Sequence, residues 1–174
     1  MRRRRPANVP AEDDVRQELA RRRLIDFVLY TFPRYIAGWF AHEVCALLDQ
    51  FLEDVHEKRS PRLMLLAPPR HGKSEIVSRR FPAWARGRNP DMSIIATSYA
   101  ADLAARLNRD VQRIIVDPRY RAVFPETTLS SSNIPSDGTG GWLRNTDMFV
   151  VVGKRGVYRS AGVGGGITGM GGDV

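Results

Sequence analysis

The chain holds three lysines, Lys58, Lys73 and Lys154, in an arginine-rich background. Lys73 stands between Gly72 and Ser74 at the end of the stretch Ala67, Pro68, Pro69, Arg70, His71, Gly72, Lys73, Ser74. The last three positions match the phosphate-binding pattern G-x-x-x-x-G-K-[ST], with Ala67 in place of its first glycine. Each residue type suits phosphate chemistry. A helix start offers unpaired N–H groups and partial positive charge to an anion. Glycine lets the backbone approach the ligand closely. Lysine is a compact, mobile point charge that reaches β- and γ-phosphates, where the broad arginine fork fits poorly. A serine hydroxyl can ligate Mg²⁺. The segment is therefore a candidate ATP and Mg²⁺ site. Ala67 to Ser74 form the cradle, Lys73 is the catalytic candidate, and Ser74 is the metal ligand.

Other constellations carry less. Gly164 to Gly169 satisfies G-x-G-x-x-G, but neither a helix nor an acidic residue about 20 positions on follows it in the sequence, as a dinucleotide site requires. Arg106, Arg109 and Arg113 share one helical side, either as phosphate contacts or as a solvated face. Tyr30, Phe32, Tyr35 and Trp39 could include a ring that stacks on adenine, although packing explains most of them. Cys45 is the single cysteine, which excludes an intrachain disulfide and a cysteine-based zinc site. The three histidines form no recognisable ligand pair. The net charge of +8 favours polyanionic partners, nucleic acid first and an anionic membrane surface second. No apolar stretch approaches the roughly 20 residues that span a bilayer. The basic start lacks the apolar segment of a secretory signal, so an intracellular, non-secreted protein is expected.

The elements that must position the loop follow from periodicity. Residues 1–11 read as a disordered basic arm and residues 12–59 as a helical lead-in. Within the lead-in, one helix runs from Glu12 and a second contains Val44, Leu47, Leu48, Phe51 and Val55 on one face. Arg62 to Ala67 is a short apolar run that predicts a buried parallel strand feeding the loop. A helix follows the loop and is expected to stop at Pro82. Ser93 to Thr97 predicts another strand. Ala101 to Asp117 predicts an amphipathic helix with Leu103, Leu107, Val111, Ile114 and Ile115 inward, ended by Pro118. A polar loop (130–141) precedes two strands around Lys154, Arg155 and Gly156. The expected class is α/β, a P-loop NTPase core over 60–174 with a parallel sheet flanked by helices, incomplete at its C-terminal end. No strand ending in paired acids is legible.

In sequence order, the segments PPRHGKSE, RRFPAWARGRNPD, ATSYAADLAARLNRDVQRII, YRAVFP and GVYRSAGVGGGITGMGGDV resemble the large terminase subunit of tailed bacteriophages. Residues Leu24 to Leu52 resemble its lead-in. The resemblance implies an ATPase that drives double-stranded DNA into a procapsid, in the host cytoplasm during virus assembly. It implies a portal protein, a small terminase subunit and an oligomeric ring as partners. Gly72, Lys73 and Ser74 would hold ATP phosphates and Mg²⁺, and Arg70 would sense or stabilise the γ-phosphate. Ser98 and Tyr99 would lie where nucleotide state couples to DNA, and the aromatic lead-in would approach the adenine. The family's acidic strand, coupling motif and nuclease domain are not found in these residues, so hydrolysis by this chain alone is expected to be absent. The alternatives are another P-loop enzyme, helicase-like or a small kinase, and a non-catalytic basic DNA-binding protein.

Overall fold

The computed structural model describes residues 11–130, 144–167, 169 and 171–174. Nearly all of the basic arm, and most of the polar loop before the last two strands, lie outside these residues.

The first predicted helix is in fact two, α1 (Glu12–Arg22) and α2 (Leu24–Thr31), separated by extended backbone at Arg23. A side chain from elsewhere makes the break. The Leu24 N–H donates to the Asp49 carboxylate at 2.9 Å. Asp49 belongs to α3 (Trp39–His56), so α3 supplies the acceptor that the start of α2 lacks locally. The buried stripe of α3 is Ala41, Val44, Cys45, Leu48 and Leu52, while Leu47 stays exposed. Burial pushes the Cys45 thiol up to about 12, so it is a packing residue rather than a nucleophile.

The helix after the loop does not stop at Pro82. It opens as a π-helix over Glu75–Arg80 and continues as α4 (Phe81–Arg88). Proline lacks an N–H and cannot join an i→i−4 ladder. The wider register absorbs this, because the Phe81 N–H already bonds Ile76 O, five residues back. Every residue from Phe81 to Arg86 is buried. The Trp84 indole N–H donates to Ala20 O at 2.9 Å, and the Tyr120 hydroxyl donates to Ala83 O at 2.9 Å. Arg86 donates to Met92 O and Gly156 O. Burial lowers its guanidinium to about 10, so it remains charged at neutral pH.

The sheet is mixed and small. Its strands are β1 (Ile94–Ser98), β2 (Met148–Val150) and β3 (Val157–Gly162), in the order β1-β3-β2. β1 pairs parallel with β3, with Ile94 opposite Tyr158, and β2 pairs antiparallel with β3. Between β1 and β2 lie α5 (Ala101–Val116) and α6 (Pro118–Val123). The short helix α6 was not legible as a helix. Asp117 caps it through the Arg119 N–H, using Pro118 as its first helical residue.

One expectation fails directly. Among the described residues, Arg62 to Ala67 pairs with no strand, and Met64 and Leu66 are 83% and 86% exposed. An apolar run becomes a strand only where another strand accepts its ladder. The free edge of β1 is instead met at its start by the C-terminal residue, through Ile95 N–H to Val174 O and Val174 N–H to Ser93 O. Leu63 and Leu65 face β1 only across an apolar cavity of 300 Å³, which Val77, Ile94 and Val174 also line. Among the described residues the result is a three-stranded sheet flanked by helices, without the central loop-bearing strand that a P-loop core was expected to have.

The Asp49 contact yields a pH prediction. Burial raises its carboxyl above the ordinary value of 3.8, against the opposing pull of the Leu24 N–H. A raised carboxyl is more readily ionised in the unfolded chain. The stability it contributes is therefore full below the unfolded value and is lost as pH rises through the folded one. Asp49→Asn keeps an acceptor for Leu24 and removes the charge, so its urea midpoint is expected to match or exceed wild type at pH 7. Asp49→Ala is expected to lose about 1 kcal/mol, as for a deleted cap. An Asp49→Asn variant as damaged as Asp49→Ala would refute the neutral-acceptor account.

Candidate functional site

The loop leaves the irregular Arg62–Ala67 segment, turns at Pro69 and Arg70, and enters the helix at Lys73. Two of its residues have left-handed backbone, Arg70 at φ 64° and Gly72 at φ 77°. For Gly72 this conformation costs little. For Arg70 it is a strain of about 1–2 kcal/mol. A Cβ on Gly72 would also stand 3.0 Å from the Tyr35 hydroxyl, so the lead-in packs directly over the loop.

The backbone here has spare donors. Among the described residues, no N–H from Arg70 to Ser74 makes a well-formed hydrogen bond, and the ladder starts with Glu75 and Ile76 donating to Gly72 O. Successive unpaired N–H groups at a helix start form an anion-attracting concavity. The Lys73 ammonium folds back on Ala67 O at 3.4 Å, a long contact that leaves its other protons free. His71 lies on the exposed side, its Nδ1 3.0 Å from Pro69 O and its ring edge-on to Phe40. Pro68, Pro69, Arg70 and Ser74 are exposed, while Ala67 is half-buried. The predicted residues are thus brought together, although no sheet strand delivers them.

Behind the loop stands an ion-pair chain that sequence reasoning missed. Glu75 accepts from Arg79 at 3.1 Å and from Arg80 at 2.8 Å. Arg79 also pairs with Asp110 of α5 at 2.9 Å, and Arg80 donates to Thr31 of α2 at 2.9 Å while covering the Phe32 ring. The first helical turn after the loop is therefore tied to both its neighbours. The i,i+4 spacing of Glu75 and Arg79 was the available signal.

The aromatic group is split. Phe32 and Tyr35 form a tilted pair, and Trp39 meets Phe40 edge-on while remaining 78% exposed. Tyr30 turns away to Asp13. Burial raises the Tyr35 phenol above its ordinary value, so it stays a neutral hydroxyl beside Gly72. Ser98 ends β1, and Tyr99 beyond it is 81% exposed. Among the described residues, no three His, Cys, Asp or Glu side chains are gathered to hold a metal ion.

The described residues form a mixed α/β chain with a small sheet, flanking helices and a loop of spare donors at a helix start. The particular family follows from sequence comparison. Residues 64–173 match the family described as terminase large subunit, T4likevirus-type, N-terminal. That match covers more than half of the chain, which belongs to this family, one of DNA-packaging motor components. The match begins within the Arg62–Ala67 segment and leaves the three lead-in helices outside it. Comparisons with curated proteins and with solved structures gave no significant match.

The two left-handed positions predict opposite responses. Gly72→Ala is expected to lower stability by roughly 1–2 kcal/mol, from backbone strain and the Tyr35 contact. Arg70→Gly is expected to raise it within about 1 kcal/mol, by relieving strain. Urea titrations of both variants check this, and a loss of stability in each would show that left-handed geometry does not govern the loop.

Proposed function

We propose that this chain is an ATP-binding portion of a viral DNA-packaging motor, whose family-level task is to couple ATP hydrolysis to translocation of double-stranded DNA into a procapsid. The observation that carries the reading is the run of N–H groups from Arg70 to Ser74, which make no well-formed hydrogen bond among the described residues and surround the one lysine flanked by glycine and serine.

The residues present fit a polyphosphate. Backbone N–H groups of Arg70 to Ser74 hold the β-phosphate, with Ala67, Pro68, Pro69 and His71 shaping the loop around it. The absent Cβ of Gly72 keeps the backbone close to the ligand. Lys73, whose one hydrogen bond among the described residues is to Ala67 O at 3.4 Å, would supply the charge that meets the β- and γ-phosphates. Arg70, exposed and held in strained backbone, reaches the γ-phosphate. That strain is the kind tolerated where a side chain serves a ligand. Ser74 offers a hydroxyl to Mg²⁺, which when bound would neutralise phosphate charge.

The ion-pair chain from Glu75 through Arg79 to Asp110 gives loop movement a path to α5, and Arg80 gives it one to α2. The partners of this reading are duplex DNA, a portal protein, a small terminase subunit and further copies of the chain in a ring. Assembly takes place in the host cytoplasm. No helix among the described residues is long and apolar enough to cross a membrane.

Turnover demands a carboxylate for the metal and a group that orients water. Both oxygens of Glu75 are committed to arginines, and Asp173 accepts from the N–H of Ser93, just before β1, at 2.8 Å. The 174-residue chain is therefore expected to bind Mg-ATP weakly, to lose that binding on Lys73→Ala, and to release phosphate near background. Titration calorimetry alongside a phosphate-release assay checks both parts. Unchanged affinity in Lys73→Ala would remove the loop from the reading, and brisk phosphate release would place the catalytic acid within these residues, among Glu75, Asp102 and Asp173.

A further inference from the structure

Two amides occupy core positions of α5 where leucine would pack as well. Asn108 is fully buried and Gln112 is 7% exposed. Burying amides costs free energy unless their hydrogen bonds are made, and here they form a ladder that leads outward. The Asn108 amide donates to Ser160 Oγ of β3 at 3.2 Å. The Gln112 amide donates to Asn108 Oδ1 at 2.6 Å and to Asn145 O at 2.7 Å. Gln112 Oε1 then accepts from Arg144 Nε at 3.0 Å, and Arg144 also donates to Ser130 O at 2.5 Å. The ladder ends in a guanidinium held at two points and aimed from a fixed direction.

Arg144 does not stand alone. It lines a polar cleft with Arg109, Gln112, Arg113, Asn145 and Thr146, with a volume of 220 Å³. Arg109 and Arg113 are exposed, and among the described residues Arg109 has no carboxylate partner. Arg113 pairs with Asp110, which is also shared with Arg79. Three guanidinium groups thus converge, with one carboxylate divided between two arginines. A solvated helix face explains Arg109 and Arg113 but not the buried amides that orient Arg144.

We propose that this cleft is a phosphodiester site, where Arg109, Arg113 and Arg144 contact the backbone of duplex DNA without reading its sequence. Planar forks suit phosphate oxygens, and a pre-oriented one loses less entropy on binding. The site rests on the DNA-packaging reading and adds where the DNA would touch this chain. Asp110 pairs both with Arg113 of the cleft and with Arg79 of the ion-pair chain, so one carboxylate links the two.

The test is a titration of the full chain with a labelled mixed-sequence duplex across about 50–200 mM salt, where counterion release governs affinity. Arg109→Gln, Arg113→Gln and Arg144→Gln are each expected to flatten the plot of log affinity against log salt by about one unit. Arg16→Gln, on the exposed face of α1, serves as the control and is expected to leave the slope unchanged. Unchanged slopes in all three cleft variants would overturn the site, as would a wild-type chain that ignores the duplex. If Lys73-dependent ATP binding persists in either case, only the cleft has failed. If ATP binding is absent too, the packaging reading has failed with it. Lost ATP affinity in Arg144→Gln with an unchanged DNA slope would reassign the cleft to a nucleotide polyphosphate and overturn the DNA assignment.

Discussion

The burial of α4 on every side is the constraint on which the rest of the molecule depends. Six consecutive residues, Phe81 to Arg86, are shielded from water, whereas a surface helix shields only a stripe. A helix closed all round needs neighbours all round, and each neighbour is specified by a contact. Ala20 of α1 accepts from Trp84, Tyr120 of α6 donates to Ala83, and Phe51 of α3 meets Phe81 edge-on. The segment joining β2 to β3 is fixed by Arg86 through Gly156 O. Full burial of Phe81 contributes roughly 2–3 kcal/mol, and Trp84 buries a larger surface. The helix that begins at the candidate phosphate loop is thereby anchored at its far end.

This anchoring explains how an unpaired-donor loop persists without a sheet strand behind it. Phosphate loops are expected to be rigid because the strand and the helix on either side are rigid. Here the strand side is irregular, with Met64 and Leu66 in solvent, while the helix side is fixed by Ile76 and by α4. Tyr35 and the Glu75 ion pairs supply the remaining restraint. The π-helix belongs to the same compromise, since it lets the chain pass Pro82 without a break and sets the direction in which Lys73 and Ser74 emerge.

Charge is distributed with similar economy. Arg79, Arg80, Arg86 and Arg88 each meet an acceptor within the fold, so much of the arginine excess near α4 is structural. On α5, exposed Arg109 meets no carboxylate among the described residues, and Arg113 shares Asp110 with Arg79. Net charge alone did not separate these groups, because a basic residue tied to Asp110 or Glu53 counts the same as one facing solvent.

The sequence by itself determined the local chemistry. Glycine, lysine and serine at their spacing, the 3.6-residue periodicity of α5, the apolar run of β1 and the turn between β2 and β3 are short-range properties, and each was legible from neighbouring residues. The family could also be read from its ordered motifs. Tertiary structure alone decided the rest. Nothing near Arg23 announces a helix break, because the acceptor is Asp49, on another helix. The run Arg62 to Ala67 reads as a strand, but a strand is a pairing, and β1 meets Val174 instead. Nothing in the sequence singles out Asn108 and Gln112, and only the meeting of α5 with Ser160 and Arg144 turns them into a ladder. Hydrogen-bond partners distant in sequence are chosen by packing, and that choice cannot be read from periodicity.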